Sequence, residues 1–391
     1  MKKLPNNAEV KYGRARALDK LAEIKRNNVL LQNAIASYYD LLQNSTISDV
    51  IFAFVGTRCI DLIRFSGVYS RAIYAHKKLI DRFPNDSKYL NELAVTLLTS
   101  NRLTEAKRVL QKVLARWPDN GFAQVHYGFI LKVKENDLTG AIKYLQAGIK
   151  TKAPGVIDGR FYFHLGDALT RLGQTKEAIK VYEDGVTHKV FLSKYQRSLY
   201  NVNRLTAKPW WSASGTAYSR FFHLLKTNWK TIRDEGVALL NEKKYFVEET
   251  EDLRDTGKWA QFELFTRGFK LLNNCKKCPE TCKIIESFPD ARDCKRGQVK
   301  FSVMHPGTHV WPHCGPTNSR LRAHLGLIIP SDTCIRVAEE IRYWKEGEVI
   351  LFDDSFEHEV WHNGSDIRLI LIIDVWHPEL TDSEKRSLPP I

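Results

Sequence analysis

The sequence predicts an α+β chain in which an all-α solenoid of stacked helical hairpins is followed by an antiparallel β-sandwich or barrel. Three observations predict it. Apolar residues recur at helical spacing through the first half, and small residues return there every 34 to 38 positions. From residue 297 onward the pattern changes to alternation between apolar and polar positions. With 391 residues the chain is long enough for two domains. We place their boundary at 205/206, giving a helical domain over 1–205 and a second domain over 206–391. Hydrophobic residues make up 43% and charged residues 27%, which excludes a disordered chain. The formal charge of +14 is spread along helix-like segments rather than gathered into one run. It reads either as a solvated basic surface or as a site that draws in carboxylate-bearing substrates. No nucleic-acid-binding motif accompanies it, so no nucleic-acid partner is expected.

The helical elements come first. Ala94 in NELAVTLL, Gly128 in VHYGFILK and Gly166 in FHLGDALT occupy similar contexts. Each is followed 12 or 13 residues later by an alanine: Ala106, Ala141 and Ala178. Trp117-Pro118 closes one unit and Phe83-Pro84 an earlier, weaker one. Small residues let paired helices approach closely, and proline ends the second helix of a pair. The pattern resembles the tetratricopeptide repeat, a helix–turn–helix unit of about 34 residues. Three repeats are clear, a fourth starts near residue 50, and residues 12–45 read as additional helix. Stacked repeats create a concave surface, which either binds a peptide or braces a neighbouring domain.

Pro209-Trp210-Trp211 ends the repeats, and residues 216–272 mix helices with loops. The strands follow. QVKFSVM, RLRAHLG and IRLILIIDV alternate, and turn signals such as HPGT, NGSD and EGE lie between the strands. A double-stranded β-helix, jelly-roll or cupin-like, accommodates such a series. Alternation sorts each strand into two faces. Lys300, Ser302 and Met304 oppose Val299, Phe301 and Val303; Arg320, Arg322 and His324 oppose Leu321, Ala323 and Leu325. Arg368, Ile370, Ile372 and Asp374 oppose Ile367, Leu369, Leu371 and Ile373. Buried charge needs a partner, so polar groups turned into a barrel line a binding cavity. A small dianion satisfies several such donors at once.

Two histidines flank this cavity in sequence, His313 in HPGTHVWPHCGPTN and His358 in FDDSFEHEVWHNG. Neutral imidazoles bind Fe(II), and two of them leave coordination positions open for O2 and a cosubstrate. Arg368 follows His358 by ten residues. That spacing resembles that of the 2-oxoglutarate oxygenases, in which a basic residue on the next strand binds the distal carboxylate of the cosubstrate, a role the planar fork of arginine suits. The common triad is His-x-Asp/Glu…His, but Gly315 stands at its carboxylate position. Asp354 is the carboxylate nearest to His358 and reads as a support for the ligands rather than a ligand. His305, His309, His362 and His377 remain alternative ligands, and Arg320 reads as a rim or salt-bridge residue.

These stretches, SVMHPGTHVWPH, RLRAHLGL, FDDSFEHEVWH and the ending DVWHPELT…SLPPI, resemble the catalytic domain of the aspartyl/asparaginyl β-hydroxylases. The upstream repeats resemble that family's repeat domain. The family also lacks the third, carboxylate ligand, so Gly315 agrees with it. The resemblance implies an enzyme that hydroxylates the β-carbon of Asp or Asn in protein substrates with epidermal-growth-factor-like domains. It would use Fe(II), O2 and 2-oxoglutarate and release succinate and CO2. It implies His313 and His358 as iron ligands. Ser302 and Arg368 would hold one end of 2-oxoglutarate, and Arg322 and His324 the other. Arg254, Trp259, Lys300 and Arg322 would meet the substrate. A catalytically silent cupin-like domain beside a peptide-binding repeat scaffold is the alternative, and an oxygenase of small molecules is a further rival.

Seven cysteines are present, three of them in NNCKKCPETCK. CxxCxxxC invites a zinc site, but no fourth ligand lies nearby; a short-loop disulfide is the other reading. The resemblance implies pairing of Cys275 with Cys282, with Cys278 as an extra thiol. Asn44, Asn85 and Asn363 begin N-x-S/T triplets. The first residues carry charge without an apolar core, and no apolar run approaches the roughly 18 residues that span a bilayer. The family is anchored in the endoplasmic reticulum membrane with its enzyme part in the lumen, so a lumenal location is implied, with contact to the membrane through an anchor this sequence does not contain.

Overall fold

The computed structural model describes residues 8–44, 46–242 and 244–391. It divides into two compact units, 1–172 and 173–391.

The first unit is helical. Its helices are α1 (Ala8–Lys25), α2 (Asn28–Leu41), α3 (Asp49–Phe65), α4 (Ala72–Arg82), α5 (Ser87–Thr99), α6 (Leu103–Arg116), α7 (Gly121–Glu135), α8 (Leu138–Lys150) and α9 (Gly159–Arg171). Their starts follow from the sequence. Ser48, Asp86, Asn120 and Asp158 cap α3, α5, α7 and α9 with side-chain oxygens that accept backbone N–H bonds. Pro84 and Pro118 stand two residues before a cap, where the preceding helix has ended. The small residues sit where helices touch. A Cβ on Gly128 would lie 2.9 Å from Leu145 Cγ and 3.0 Å from Leu145 N, so α7 and α8 pack at backbone distance. Gly56 plays the same part in α3, facing Leu79 of α4. Ala94, Ala106 and Ala141 are fully buried. The repeat expected near residue 50 is the α3–α4 pair.

The second unit begins earlier than the 205/206 boundary drawn from composition. It takes in α10 (Thr175–Thr187) and a strap over 188–209. The strap is bonded to the β-domain: Gln196 bridges Phe356, Leu199 and Tyr200 donate to the Pro316 carbonyl, and Arg197 pairs with Glu357 at 2.7 Å. Those long-range bonds are invisible to a reading of local periodicity.

The strands are β1 (Trp210–Trp211), β2 (Val247–Glu248), β3 (Arg254–Thr256), β4 (Trp259–Thr266), β5 (Phe269–Lys270), β6 (Gln298–Met304), β7 (Thr308–His313), β8 (Arg320–Ile328), β9 (Thr333–Val337), β10 (Glu340–Tyr343), β11 (Val349–Phe352), β12 (His358–His362) and β13 (Arg368–Trp376). One antiparallel sheet runs β1-β11-β8-β13-β6-β4-β2, with β5 on β4, and the other runs β10-β9-β12-β7-β3. From β6 to β13 the chain passes back and forth between the two sheets, which is the winding of a double-stranded β-helix. The apolar faces read from alternation are the outer face of the larger sheet. Val299, Phe301, Leu321, Ala323, Leu325, Leu369, Leu371 and Ile373 form one core with Phe221, Phe222 and Leu225 of α11 (Ser219–Thr227) and with Ile232 and Leu239 of α12 (Trp229–Leu240). The opposite face meets the smaller sheet, through Met304, Ile370 and Ile372 against Val310, Ile335 and Val360.

Candidate active site between the sheets

Strand register gathers the site. On the larger sheet Ser302 stands opposite Ile370, Lys300 opposite Ile372, His324 opposite Ile372 and Arg322 opposite Asp374. Trp259 of β4 and Arg368 of β13 both pair with Met304. On the smaller sheet His313 of β7 pairs directly with His358 of β12. An inner cavity is lined by Trp259, Ser302, His313, Arg322, His324, His358 and Arg368, together with apolar side chains.

The two facing histidines have ring centroids 4.1 Å apart. In each ring Nδ1–H donates to the backbone carbonyl two residues earlier: Trp311 at 2.7 Å for His313 and Phe356 at 2.9 Å for His358. That bond sets the tautomer and leaves Nε2 as a lone-pair donor without a partner among the described residues. Burial pushes both pKa values down, that of His358 well down, so the rings are neutral, the form that binds metal. Among the described residues no group of three or more His, Cys, Asp or Glu converges as a metal cage. Gly315 explains this locally. Its N–H donates to the Asp354 carbonyl at 2.6 Å, and a Cβ at 315 would lie 2.6 Å from Asp354 Cγ. Asp354 is itself held by Arg320 at 2.7 Å and Arg322 at 3.2 Å. Burial raises its pKa, but the two guanidinium groups outweigh burial and keep it below the usual carboxylate range. The pair of imidazoles fits a metal ion with several positions left to other ligands.

Arg368 and Arg322 are the cations of the inner cavity, and Arg322 is ion-paired with Asp354 and Asp374. Arg368 differs. It is 1% exposed and has no carboxylate partner among the described residues. Its Nη2 donates to Ser302 Oγ at 3.0 Å, its Nε has no partner, and its guanidinium lies 5.0 Å from the centre of the Trp344 ring. Burial alone pulls its pKa down to about 9. Ser302 Oγ also accepts Trp259 Nε1–H at 2.9 Å, so with two bonds accepted its own proton is free to donate into the cavity. His324 is buried with neither ring nitrogen bonded, between Trp344 and Phe352, and burial holds it neutral.

Residues 226–378 match the family model for aspartyl/asparaginyl beta-hydroxylase. That stretch carries the two histidines, Gly315 and Arg368 in the arrangement just described. Most of the second unit is thus similar to the aspartyl/asparaginyl β-hydroxylases. The chain is similar over its whole length to the aspartyl/asparaginyl beta-hydroxylases of Homo sapiens, at 48% identity, and Mus musculus, at 47%. It covers 52% and 53% of those proteins, so it spans about half the length of the relatives it matches. Aspartate beta-hydroxylase domain-containing protein 2 of Homo sapiens is 39% identical over 34% of this chain and 37% of its own. Residues 159–187 match a tetratricopeptide repeat model. Among solved structures, MamA from Desulfovibrio magneticus RS-1 aligns over 46% of this chain and 95% of its own with a TM-score of 0.35 at 18% identity.

The β-domain has an outer chamber continuous with the inner one, since Trp259, His313, Arg322 and Ile372 line both. Lys300 lies here, 6% exposed, with no ion pair or hydrogen bond to another described residue. Burial, reinforced by Arg322, lowers its pKa to about 8. Arg322 is less free than the sequence suggests: its Nε and Nη2 grip Asp374 at 2.7 and 2.9 Å. Burial would lower its pKa, but Asp354 and Asp374 raise it instead. Arg320 is a salt-bridge residue and not a rim residue, since it is 4% exposed and bound to Asp354 and Asp374. Arg254 sits outside the chamber on β3, with its Nη1 on the Gly257 carbonyl and Glu248 3.6 Å away. Cys275 and Cys282 form a disulfide, their Cα atoms 5.7 Å apart, while Cys278 is a buried thiol. Sequence reasoning missed Asp374, although it shares the inward face with Arg368. It also missed Trp344, Arg296 and the acidic wall of Glu249, Glu251 and Glu263, for which the sequence carries no local signal.

Proposed function

We propose that the β-domain transfers one oxygen atom from O2 to the β-carbon of an Asp or Asn residue in a protein substrate, with Fe(II) as metal and 2-oxoglutarate as cosubstrate. The observation that carries this reading is Arg368: a fully buried cation with no carboxylate partner among the described residues, in the cavity that two neutral histidines, His313 and His358, also line. A dianion that reaches a metal held by the histidines would also pair with Arg368.

The residues divide the work. His313 and His358 supply two nitrogen ligands. Gly315 and the ion-paired Asp354 leave the third protein position without a ligand. Arg368 and the Ser302 hydroxyl hold the far carboxylate of 2-oxoglutarate. His324 and the remaining Arg322 N–H groups face its other end. Lys300 offers an unpaired ammonium to the acidic or amide side chain of the substrate, and Trp259, pinned by Ser302, closes the apolar wall between the chambers. Iron, when bound, would activate O2, the oxidant, while 2-oxoglutarate would supply two electrons and take up the second oxygen atom, leaving as succinate and CO2. The protein contributes positioning and the exclusion of water. The similarity of this chain to about half the length of the beta-hydroxylases supports epidermal-growth-factor-like domains as substrates and a lumenal location. Among the described residues no helix is long and apolar enough to cross a membrane.

The test is mass spectrometry of a growth-factor-like peptide incubated with the protein, Fe(II) and 2-oxoglutarate. One added oxygen mapped to an Asp or Asn supports the reading. His313→Ala and His358→Ala should each abolish succinate production; full turnover in either refutes the metal assignment.

A further inference from the structure

On the outer surface of the smaller sheet His309 stands between two carboxylates. Its Nδ1 lies 2.9 Å from Asp255 Oδ2 and its Nε2 lies 2.9 Å from Glu359 Oε1. The ring stacks on Trp361, with centroids 5.7 Å apart and planes 20° from parallel, and Trp311 meets it edge-on. Carboxylates only accept hydrogen bonds, so a ring that carries both protons satisfies both contacts. Glu359 is held in turn by Arg336 at 2.7 Å, Arg336 by Glu357 at 2.9 Å, and Glu357 by Arg197 of the strap at 2.7 Å. Charges of alternating sign thus run from β3 across β7, β12 and β9 to the strap.

Asp255 is the end of that chain and belongs to β3, a three-residue edge strand. The segment before β3 supplies Glu249, Glu251 and Leu253 to the wall of the outer chamber. Other bonds hold it as well: β3 pairs with β7, and Lys258 exchanges bonds with Thr308 Oγ1 at 3.1 and 3.0 Å. Glu249 N–H donates to the Trp259 carbonyl at 3.0 Å, and Trp311 N–H donates to the Leu253 carbonyl at 2.9 Å. Thr256 Oγ1 donates to the Gly307 carbonyl at 3.1 Å, and Gly257, at φ +80°, turns the chain against Thr308. Arg254 of β3 faces Glu248 of β2 at 3.6 Å, and the Asp255–His309 pair joins β3 to β7 through side chains.

We propose that Asp255, His309 and Glu359 form a latch that positions segment 249–258 as the wall against which the protein substrate is held, leaving the cosubstrate site untouched. This rests on the oxygenase reading above. His309 is a positioning residue, since it lies on neither chamber.

The test uses the full chain and three variants. His309→Phe keeps the stacking on Trp361 and removes both charged bonds, Asp255→Asn removes one charge with little change of shape, and His309→Gln can donate to one carboxylate. The KM for a growth-factor-like peptide should rise about tenfold in His309→Phe, in line with loss of charge-assisted hydrogen bonds. Asp255→Asn and His309→Gln should fall between that variant and the parent, and the KM for 2-oxoglutarate should not move. Hydrogen exchange of the amides in 249–258, and of the Trp311 amide, should quicken in the same order, while exchange in β6, β8 and β13 stays as in the parent. A peptide KM unchanged in His309→Phe overturns the proposal, as does an equal rise in both KM values. Unaltered exchange in 249–258 overturns it even in a protein that transfers no oxygen, so failure of the latch and failure of the oxygenase reading are told apart.

Discussion

Replacing Arg368 by methionine should make the protein without its cosubstrate more stable. The side chain is fully buried, and burial moves its pKa from the ordinary arginine value to about 9. That displacement corresponds to roughly 5 kcal/mol against the charged form. The bond to Ser302 returns about 1 kcal/mol, and the contact with Trp344 a similar amount. An apolar side chain of comparable length removes penalty and returns together, so Arg368→Met should gain about 3 kcal/mol at most, within the range seen when buried ionic groups are replaced by apolar ones. The sign of the pH dependence follows. The folded pKa lies below the unfolded one, so the full cost is present at neutral pH and is relieved as pH rises above about 9. The parent should therefore close the gap on the variant in alkaline solution. Ligand acts in the opposite sense. 2-Oxoglutarate at a hundred times its Kd should stabilise the parent by about 2.7 kcal/mol and the variant hardly at all. Urea denaturation of both proteins, with and without 2-oxoglutarate, at neutral pH and near pH 10, reads every arm. Equal stability of the two proteins without ligand, or equal stabilisation by 2-oxoglutarate, would refute the assignment of Arg368 as the carboxylate anchor.

Lys300, with its pKa lowered to about 8, should lose its charge as pH rises through that value. The KM for an acidic peptide should then climb above pH 8 in the parent and stay flat in Lys300→Met; parallel profiles would remove Lys300 from the site. Gly315→Ala places a methyl group against the Asp354 carboxylate and should cost on the order of 1–3 kcal/mol in thermal unfolding, whereas an unchanged Tm would show that Asp354 can move aside. Gly128→Leu forces α7 away from Leu145 and should destabilise the helical unit by a similar amount, with a loss of helical circular dichroism on heating as the readout.

Much of the fold was legible because its two periodicities are physical consequences of burial. Ala94, Gly128 and Gly166 recur because helix pairs meet at backbone distance, and the caps Asp86, Asn120 and Asp158 recur with them. Alternation placed Ser302, Arg322, His324 and Arg368 on one inward face, where the structure has them. What remained hidden depends on pairings distant in sequence. Asp374 can be recognised as the partner of Arg322 only when β8 and β13 are in register. Most of the strap fell within the helical domain drawn over 1–205, because its bonds to Pro316, Phe356 and Glu357 cross more than a hundred positions. Arg254 carries no local mark that would place it outside the chamber.

The edges of the two sheets bear on behaviour at high concentration. β13 is nine residues long and buried at every position, with RLILIIDVW as its sequence. A free strand of that length, so apolar and nearly without charge, would template the stacking of further chains. It lies between β6 and β8 and exposes no edge. The strands that do stand at the ends are β1 and β2, of two residues each, and β3 and β10, of three and four. Charges mark them, as in Arg254-Asp255 and in Glu340 paired with Arg342. An incoming chain thus meets too short a run of free backbone to add a strand. The folded domain is protected from sheet-to-sheet aggregation, and the hazard is confined to the interval before β6 and β8 close over β13.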